Sequence, residues 1–202
     1  MPDYKLTSHP QPRGRPPRTS REELARVALD LFARNGFEET TLEDVADAVG
    51  VGRRTLFRYF PSKNDLVWGD FDWVLARLQA HLDELDPDEP IMEGLARAVI
   101  ASNHYEEEDL PELRVRMGLI TTVPALQAHS MVRYAAWRHV VARHVALRLG
   151  CEPDDLVPLT IGHMALGTSM AAFVRWVAHP EEDLEAHLER GYRMLSQVVL
   201  SG

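Results

Sequence analysis

The sequence predicts an all-α protein: a small N-terminal three-helix unit followed by a larger helical body. Three observations carry this. Apolar residues recur at helical spacing along most of the chain, no stretch alternates apolar and polar residues between turn signals, and glycine or proline marks successive helix ends. With 202 residues, 45% of them apolar, the chain can bury one large core or two smaller ones, which excludes a disordered protein.

The first helix opens at Ser20 with Glu23 three residues on, a capping box in which the hydroxyl takes a free backbone N–H. Its expected inward stripe is Leu24, Val27, Ala28, Leu31 and Phe32, and Gly36 ends it. Thr41 and Asp44 repeat the device for a second helix carrying Leu42, Val45, Ala46 and Val49, closed by Gly50. Only Gly50-Val51-Gly52 separates it from a third, Arg53 to Phe60, which Pro61 closes. Two short helices joined by a glycine-containing turn form the helix-turn-helix unit that lays its second helix in a DNA groove. Ser62 then caps what the periodicity of Val67, Phe71, Val74, Leu75, Leu78 and Leu82 predicts as one long helix. Further helices are expected near 91–102, 111–120, 124–149, 155–178 and 181–200. Pro111 and Pro124 stand at first-turn positions, Gly150 follows a helix end, and Glu181, Glu182 and Asp183 suit a helix N-terminus.

Residues 156–174 form a run without a charged side chain, long enough to cross a bilayer. Pro158, Thr160, Gly162, His163, Gly167, Thr168 and Ser169 make it too polar for lipid, so it is expected as a helix buried by protein on nearly every side. No membrane association is expected. The single cysteine, Cys151, excludes an internal disulfide, and the polar N-terminus lacks an apolar signal run, which points to a cytoplasmic setting.

The net charge of −9 opposes a nucleic-acid partner until it is divided. Residues 1–60 carry 10 Lys+Arg against 9 Asp+Glu, and the other 142 carry 12 against 22. Between Asp3 and Glu22 there is no acid, whereas Lys5, Arg13, Arg15, Arg18 and Arg21 all lie there. An anion-seeking end on an acidic body suits one nucleic-acid-binding module and one with another task. On the third helix, 100° per residue turns Arg54 and Arg58 away from a core formed by Leu56 and Phe60. Arginine there can bond both acceptors of a guanine edge, worth about 1–3 kcal/mol of discrimination; otherwise the pair is a solvated face. Arg13 and Arg15, in a basic arm ahead of the first helix, either enter a minor groove or belong to a solubilising tail. The expected organisation is therefore a basic arm over 1–18, a helix-turn-helix DNA-binding domain over 19–65, and a body over 66–202.

Nothing points to catalysis. No two of the nine histidines are three or four residues apart, the spacing that places a metal-ligand pair on one helix face. No nucleophile elbow or phosphate-binding loop occurs, and Glu106-Glu107-Glu108-Asp109 reads as a solvated loop. Neither metal nor cofactor is expected.

The segment Thr41 through Leu66, with Ala46, Gly50-Val51, Thr55-Leu56, Tyr59-Phe60 and Ser62-Lys63, resembles the DNA-binding domain of TetR-family transcriptional regulators. The resemblance implies double-stranded operator DNA as partner, a helical effector-binding and dimerisation domain, and a homodimer built from the last two helices. It implies phosphate contacts at Thr41, Tyr59 and Lys63, with Arg53, Arg54, Thr55 and Arg58 on the reading helix. Gly52 stands where a serine cap is usual and Phe57 where a tyrosine is usual, which puts a phosphate contact at 57 in doubt. A longer likeness, Phe57 to Asp65, Trp68-Gly69-Asp70-Phe71, Val123 to Ser130, Arg133-Tyr134 and Trp137-Arg138, is similar to the TetR-type regulators of mycofactocin gene clusters. That implies an acyl-coenzyme A effector, and repression relieved by it is the expected mode. An apolar tunnel for the chain would draw on Trp68, Phe71, Met117, Ile120, Trp137, Met164, Met170 and Phe173. Arg133, Arg138 and Arg97 are the candidate cations for the coenzyme, and His129 and Tyr134 the orienting groups; the apolar set serves equally as plain core. Two-fold pairing over 156–174 and Leu184, Leu188, Tyr192, Leu195 and Val199 is expected, with Ala165 and Ser169 allowing close approach. The alternatives are a helical ligand-binding protein or enzyme with a degenerate DNA-binding unit, and a protein-interaction partner of the same fold.

Overall fold

The computed structural model describes residues 20–200, apart from the side chains of 198–200. Arg13, Arg15 and the rest of the expected arm, together with the side chain of Val199, lie outside the described residues. Ten helices occur among them: α1 Arg21–Asn35, α2 Leu42–Val49, α3 Arg53–Tyr59, α4 Lys63–Trp68, α5 Phe71–Asp83, α6 Ile91–Ser102, α7 Leu110–Thr122, α8 Pro124–Leu149, α9 Leu156–Ala178 and α10 Leu184–Leu200. No described residue is in a strand, so the all-α expectation holds.

The head is α1 to α3, closed over Leu24, Phe32, Val45, Leu56 and Phe60. Both expected caps form. Ser20 Oγ accepts from Glu23 N at 3.1 Å. Thr41 Oγ1 accepts from Asp44 N at 3.1 Å while Asp44 Oδ2 accepts from Thr41 N at 2.7 Å. The inward stripe of α1 is rotated from the one expected. Ala25 and Leu29 are buried, and Val27 and Leu31 only half-buried, because α1 packs against α2 and also against α4 and α7.

The long helix expected from Ser62 to Leu82 is two helices. Gly69 takes φ +61° and breaks it, and Asp70 restarts it as a cap, its Oδ1 accepting from Trp73 N at 3.2 Å. Apolar spacing runs through the break because α4 and α5 both press residues into the core, Leu66 and Val67 on one and Leu78 and Leu82 on the other.

In the body, α9 lies between α8 and α10. A Cβ at Gly162 would sit 2.9 Å from the Arg138 carbonyl oxygen, so glycine sets the α8–α9 approach. Tyr192, 1% exposed, donates from its hydroxyl to the Ala165 carbonyl at 2.9 Å and lies 2.9 Å from Ser169 Oγ. Ala165 and Ser169 thus join α9 to α10 within one chain, contrary to the expectation that they would lie between two copies. The expectation of a helix enclosed on nearly every side also fails for the single chain. Leu156, Thr160, His163, Gly167, Ala171 and Val174 form an exposed stripe at helical spacing. The helix is long and apolar enough to cross a membrane, but its opposite side is packed on α8 and α10.

Gly69→Ala tests the break. The new Cβ would lie 2.7 Å from Arg116 Nη1 in a left-handed backbone, so a destabilisation of about 1–2 kcal/mol is expected in urea denaturation. An unchanged midpoint would show that the break tolerates a side chain.

Candidate nucleic-acid interface and its link to the body

The outward face of α3 presents Arg53, Arg54, Phe57 and Arg58, all exposed, while Thr55 and Tyr59 are half-buried at its edges. Leu56 and Phe60, both 0% exposed, hold the opposite face. No side chain caps α3, since Gly52 occupies that position; its seven residues rely on this packing. Arg53 forms an ion pair with Glu43 of α2 and stacks 5.3 Å from the Phe57 ring centroid. Arg58 stacks 5.3 Å from the Tyr59 ring, and neither Arg54 nor Arg58 is in an ion pair among the described residues. The two arginines assigned to base reading from helical geometry are therefore outside any ion pair, whereas Arg53 is paired within its own chain.

Thr41 is exposed at the N-terminus of α2, its hydroxyl already shared with Asp44 at 2.7 Å. Lys63 is more fully engaged. Its Nζ donates to the carbonyls of Phe37 at 2.5 Å and Thr40 at 3.2 Å, and lies 4.2 Å from the Phe37 ring. It fastens α4 to the corner between α1 and α2, a structural role that sequence reading missed. Phe37 and Thr40, whose carbonyls it holds, are buried at 5% and 1% between α1 and α2.

The ligand candidates separate into two groups. Met117, Trp137 and Phe173 are core residues no more than 8% exposed, Phe71 and Met164 are half-buried, and Phe173 meets Trp176 edge-on at 6.4 Å. Trp68, His129, Arg133 and Tyr134 instead gather where α4 meets α8. Trp68 packs edge-on against Tyr134 at 5.5 Å and against Phe71 at 5.2 Å, and Arg133 lies over the Trp68 ring at 5.2 Å. Trp68 also walls a cleft of about 690 Å³ between α1, α5 and α7.

Asp65 organises this cluster and was absent from the sequence candidates. Its Oδ1 accepts from Arg133 Nη2 at 2.7 Å and lies 3.1 Å from His129 Nε2, and its Oδ2 accepts from Ser62 Oγ at 2.6 Å. Arg133 Nη1 lies 2.7 Å from His129 Nε2, the same ring nitrogen that faces Asp65. Arg133 is thus a partner of Asp65 and not an open cation at a pocket mouth. Arg97 is likewise committed, forking onto Glu89 at 2.7 and 2.8 Å. Arg138 borders a second cleft, with His139, Asp154 and His163. A second tie runs from α7, where Arg116 Nη1 donates to the Val67 carbonyl at 2.5 Å.

Two polar atoms in the cluster are buried without a partner: Trp68 Nε1 and Arg133 Nε. Burial pushes the Tyr134 phenol up to about 12, so it is a neutral hydroxyl. A hydrogen bond with Ser130, whose own proton goes to the Leu126 carbonyl at 2.7 Å, offsets part of that rise. Elsewhere, His179, Glu181 and Glu182 bring ligand atoms within 4.8 Å of one another, a grouping the histidine spacing did not reveal. Glu182 is already paired with His187 at 2.7 Å and Arg175 at 3.4 Å.

Burial acts to raise the Asp65 carboxyl, but hydrogen bonds from Ser62, Arg133 and His129 outweigh it and hold the group below the usual aspartate range. A folded-state value below the unfolded one stabilises above the unfolded pKa, and the gain is lost as pH falls through the folded value. Asp65→Asn should therefore lower stability by about 1–3 kcal/mol at pH 7. The gap to wild type should close as pH drops below about 4. Urea denaturation of both proteins across pH 3–7 measures it; a gap independent of pH would remove the ion pair from the account.

Two family models cover most of this architecture. Residues 24–67 match the model for bacterial regulatory proteins of the tetR family, and residues 89–200 match the MftR C-terminal domain. The Mycobacterium tuberculosis protein named as the mycofactocin biosynthesis transcriptional regulator MftR is 41% identical over 164 residues, 81% of this chain and 83% of that protein. The HTH-type transcriptional regulator TcmR of Streptomyces glaucescens is 32% identical over 84% of this chain and 78% of its own. Among solved structures, Thermus thermophilus FadR, a TetR-family transcriptional repressor in complex with lauroyl-CoA, is 27% identical, with a TM-score of 0.58 over 87% of this chain and 93% of that one. A regulator from Syntrophomonas wolfei shares the fold at a TM-score of 0.68 and 16% identity. With its reading helix displayed by one matched domain and its helical body matched by the other, the chain belongs to the TetR family of DNA-binding transcriptional regulators.

Proposed function

We propose that the chain is a homodimeric repressor of the cytoplasm, not an enzyme, and that a small-molecule effector, with an acyl-coenzyme A as the candidate, releases it from its operator. The observation that carries the reading is the face of α3, where Arg54 and Arg58 stand exposed and unpaired on a head tied through α4 to the body. Arg54 and Arg58 read base edges, Arg53 and Thr55 flank them, and Thr41, Tyr59 and Lys63 hold the backbone, Lys63 while keeping the head's corner closed. Arg13 and Arg15 add minor-groove contacts. Similarity to the lauroyl-CoA complex of FadR supports the effector class. An effector releases DNA only by binding the non-DNA-binding arrangement more tightly, and the coupling is reciprocal. Selection of DNA fragments by the purified protein, followed by release with acyl-coenzyme A esters, tests the whole reading; failure to select any sequence would overturn it.

The uncharged stripe of α9 supports the dimer, with Met194 of α10, 60% exposed, on the neighbouring helix. Pairing two such faces by a two-fold axis builds a four-helix interface and sets the spacing of two reading heads.

Two predictions follow from these faces. Arg58→Ala should relax sequence preference at one base pair in each half-site, costing about 1–3 kcal/mol on the selected site and little elsewhere. Tyr59→Phe should weaken all sequences alike. Binding titrations on the selected and a scrambled site separate the two; equal losses from both substitutions would refute the division of roles. For assembly, Gly167→Glu is informative because a Cβ there meets open space within the chain. The variant should keep its helix content and sediment as a monomer with weakened operator binding, whereas a persistent dimer would place the interface elsewhere.

A further inference from the structure

The cleft of about 690 Å³ between α1, α5 and α7 takes its charge from carboxylates. Glu22, Glu23, Asp70, Asp109 and Glu112 line it, against Arg26 and Arg116. Arg116 is already engaged, with Glu112 at 2.6 Å and with the Val67 carbonyl, whereas Glu22, Glu23 and Asp109 are in no ion pair among the described residues. Carboxylates gathered around one opening repel one another and draw in cations. The aromatic walls have the same preference. Trp73 is 53% exposed, and the Arg77 guanidinium stacks 5.1 Å from its ring and 5.3 Å from that of Tyr105, both of which line the cleft. Ser20, the first described residue, belongs to the same wall. Residues 1–19 lie outside the described residues and carry Lys5, Arg13, Arg15 and Arg18 against Asp3 alone. Arg18 is two residues from the wall, and at about 3.5 Å per residue Arg13 reaches no more than about 25 Å from Ser20. A cationic segment therefore starts at the edge of an anionic cleft.

We propose that this cleft is the docking site of the chain's own residues 13–19, and that operator DNA competes with it for Arg13, Arg15 and Arg18. The competition rests on the operator-binding reading above; the docking does not. A tethered segment faces its site at a concentration on the order of millimolar, so contacts that are individually weak and screened suffice to hold it. The same carboxylates repel the phosphates of a coenzyme A, which sets this cleft apart from any site for the anionic end of the proposed effector. An arginine held in the cleft is withdrawn from the minor groove. Operator affinity is then reduced by the fraction of time that the arm is docked, and the arm acts on DNA binding without touching the reading helix.

The test compares the full-length protein with a double variant, Glu22→Gln with Asp109→Asn. Both positions are exposed, and the Asp109 side chain makes no cap hydrogen bond to α7. Without DNA and at low salt, trypsin should cut the Arg13–Gly14 bond about tenfold more slowly in the wild type than in the variant. Salt at about 0.5 M should remove the difference, and cleavage within residues 20–200, unchanged between the two, confirms that both are folded. Equal cleavage at low salt leaves the cleft to another occupant and overturns the docking. In a heterodimer of an arm-deleted chain with a doubly substituted one, the only intact cleft belongs to the chain without an arm. Rapid cleavage there is expected; protection would place the arm in the partner's cleft and overturn the assignment to its own chain. For the competition, the two substitutions should tighten operator binding about threefold or more in the full chain and have little effect in a chain lacking residues 1–18. Equal tightening in both backgrounds is general electrostatics and overturns the competition. If no DNA sequence is selected, the operator reading fails on its own, and the protease comparison alone decides the docking.

Discussion

The Asp65 carboxylate is the polar centre of the α4–α8 junction between head and body. It closes the N-terminal turn of α4 through Ser62 and receives Arg133 from α8, so one side chain both shapes a six-residue helix and anchors it. A helix of that length has no stability of its own. Its geometry is imposed from outside: Lys63 pulls its first turn onto the α1–α2 corner, Arg116 holds the Val67 carbonyl, and the glycine break frees it from the direction of α5. Together with the direct packing of α1 on α7, these polar contacts position α3 relative to the body.

Partly buried ion pairs of this kind are poor stabilisers by net free energy, since desolvation consumes much of the attraction. They are sensitive to geometry and to competing charge, which apolar packing is not. The head–body connection of this protein combines both properties. Leu66 and Val67 seat α4 in the core at 0% exposure, which supplies adhesion, and Asp65 with Arg133 supplies register.

The helices and the reading face were legible in the sequence because they follow from local rules. Ser20, Thr41 and Gly50 announce helix ends, and 100° per residue turns Arg54 and Arg58 outward once Leu56 and Phe60 are inward. The split at Gly69 was legible in principle, as glycine followed by a capping aspartate, but unbroken apolar spacing concealed it. Asp65 and Lys63 were hidden for another reason: their partners lie 68 and 26 residues away, and no local pattern announces a long-range polar contact. The positions of Ala165 and Ser169 depended on a similar fact. Small residues on an uncharged helix fit against a second copy or against the same chain, and only the Tyr192 hydroxyl decides that they face α10.

The cluster at α4 also bears on how such regulators can be recombined. A DNA-reading head moved onto another body of the same fold takes with it one half of an ion pair whose other half stays behind. If the join is made between Ser62 and Asp65, the graft splits the cap from its carboxylate as well. A join at Gly69 keeps α4 whole with its head and leaves two requirements on the recipient: a cation on its eighth helix where this chain has Arg133, and a donor on its seventh where this chain has Arg116. Bodies that offer both can hold a foreign head in the register this chain uses, and bodies that do not leave the buried Asp65 carboxylate without its main partner.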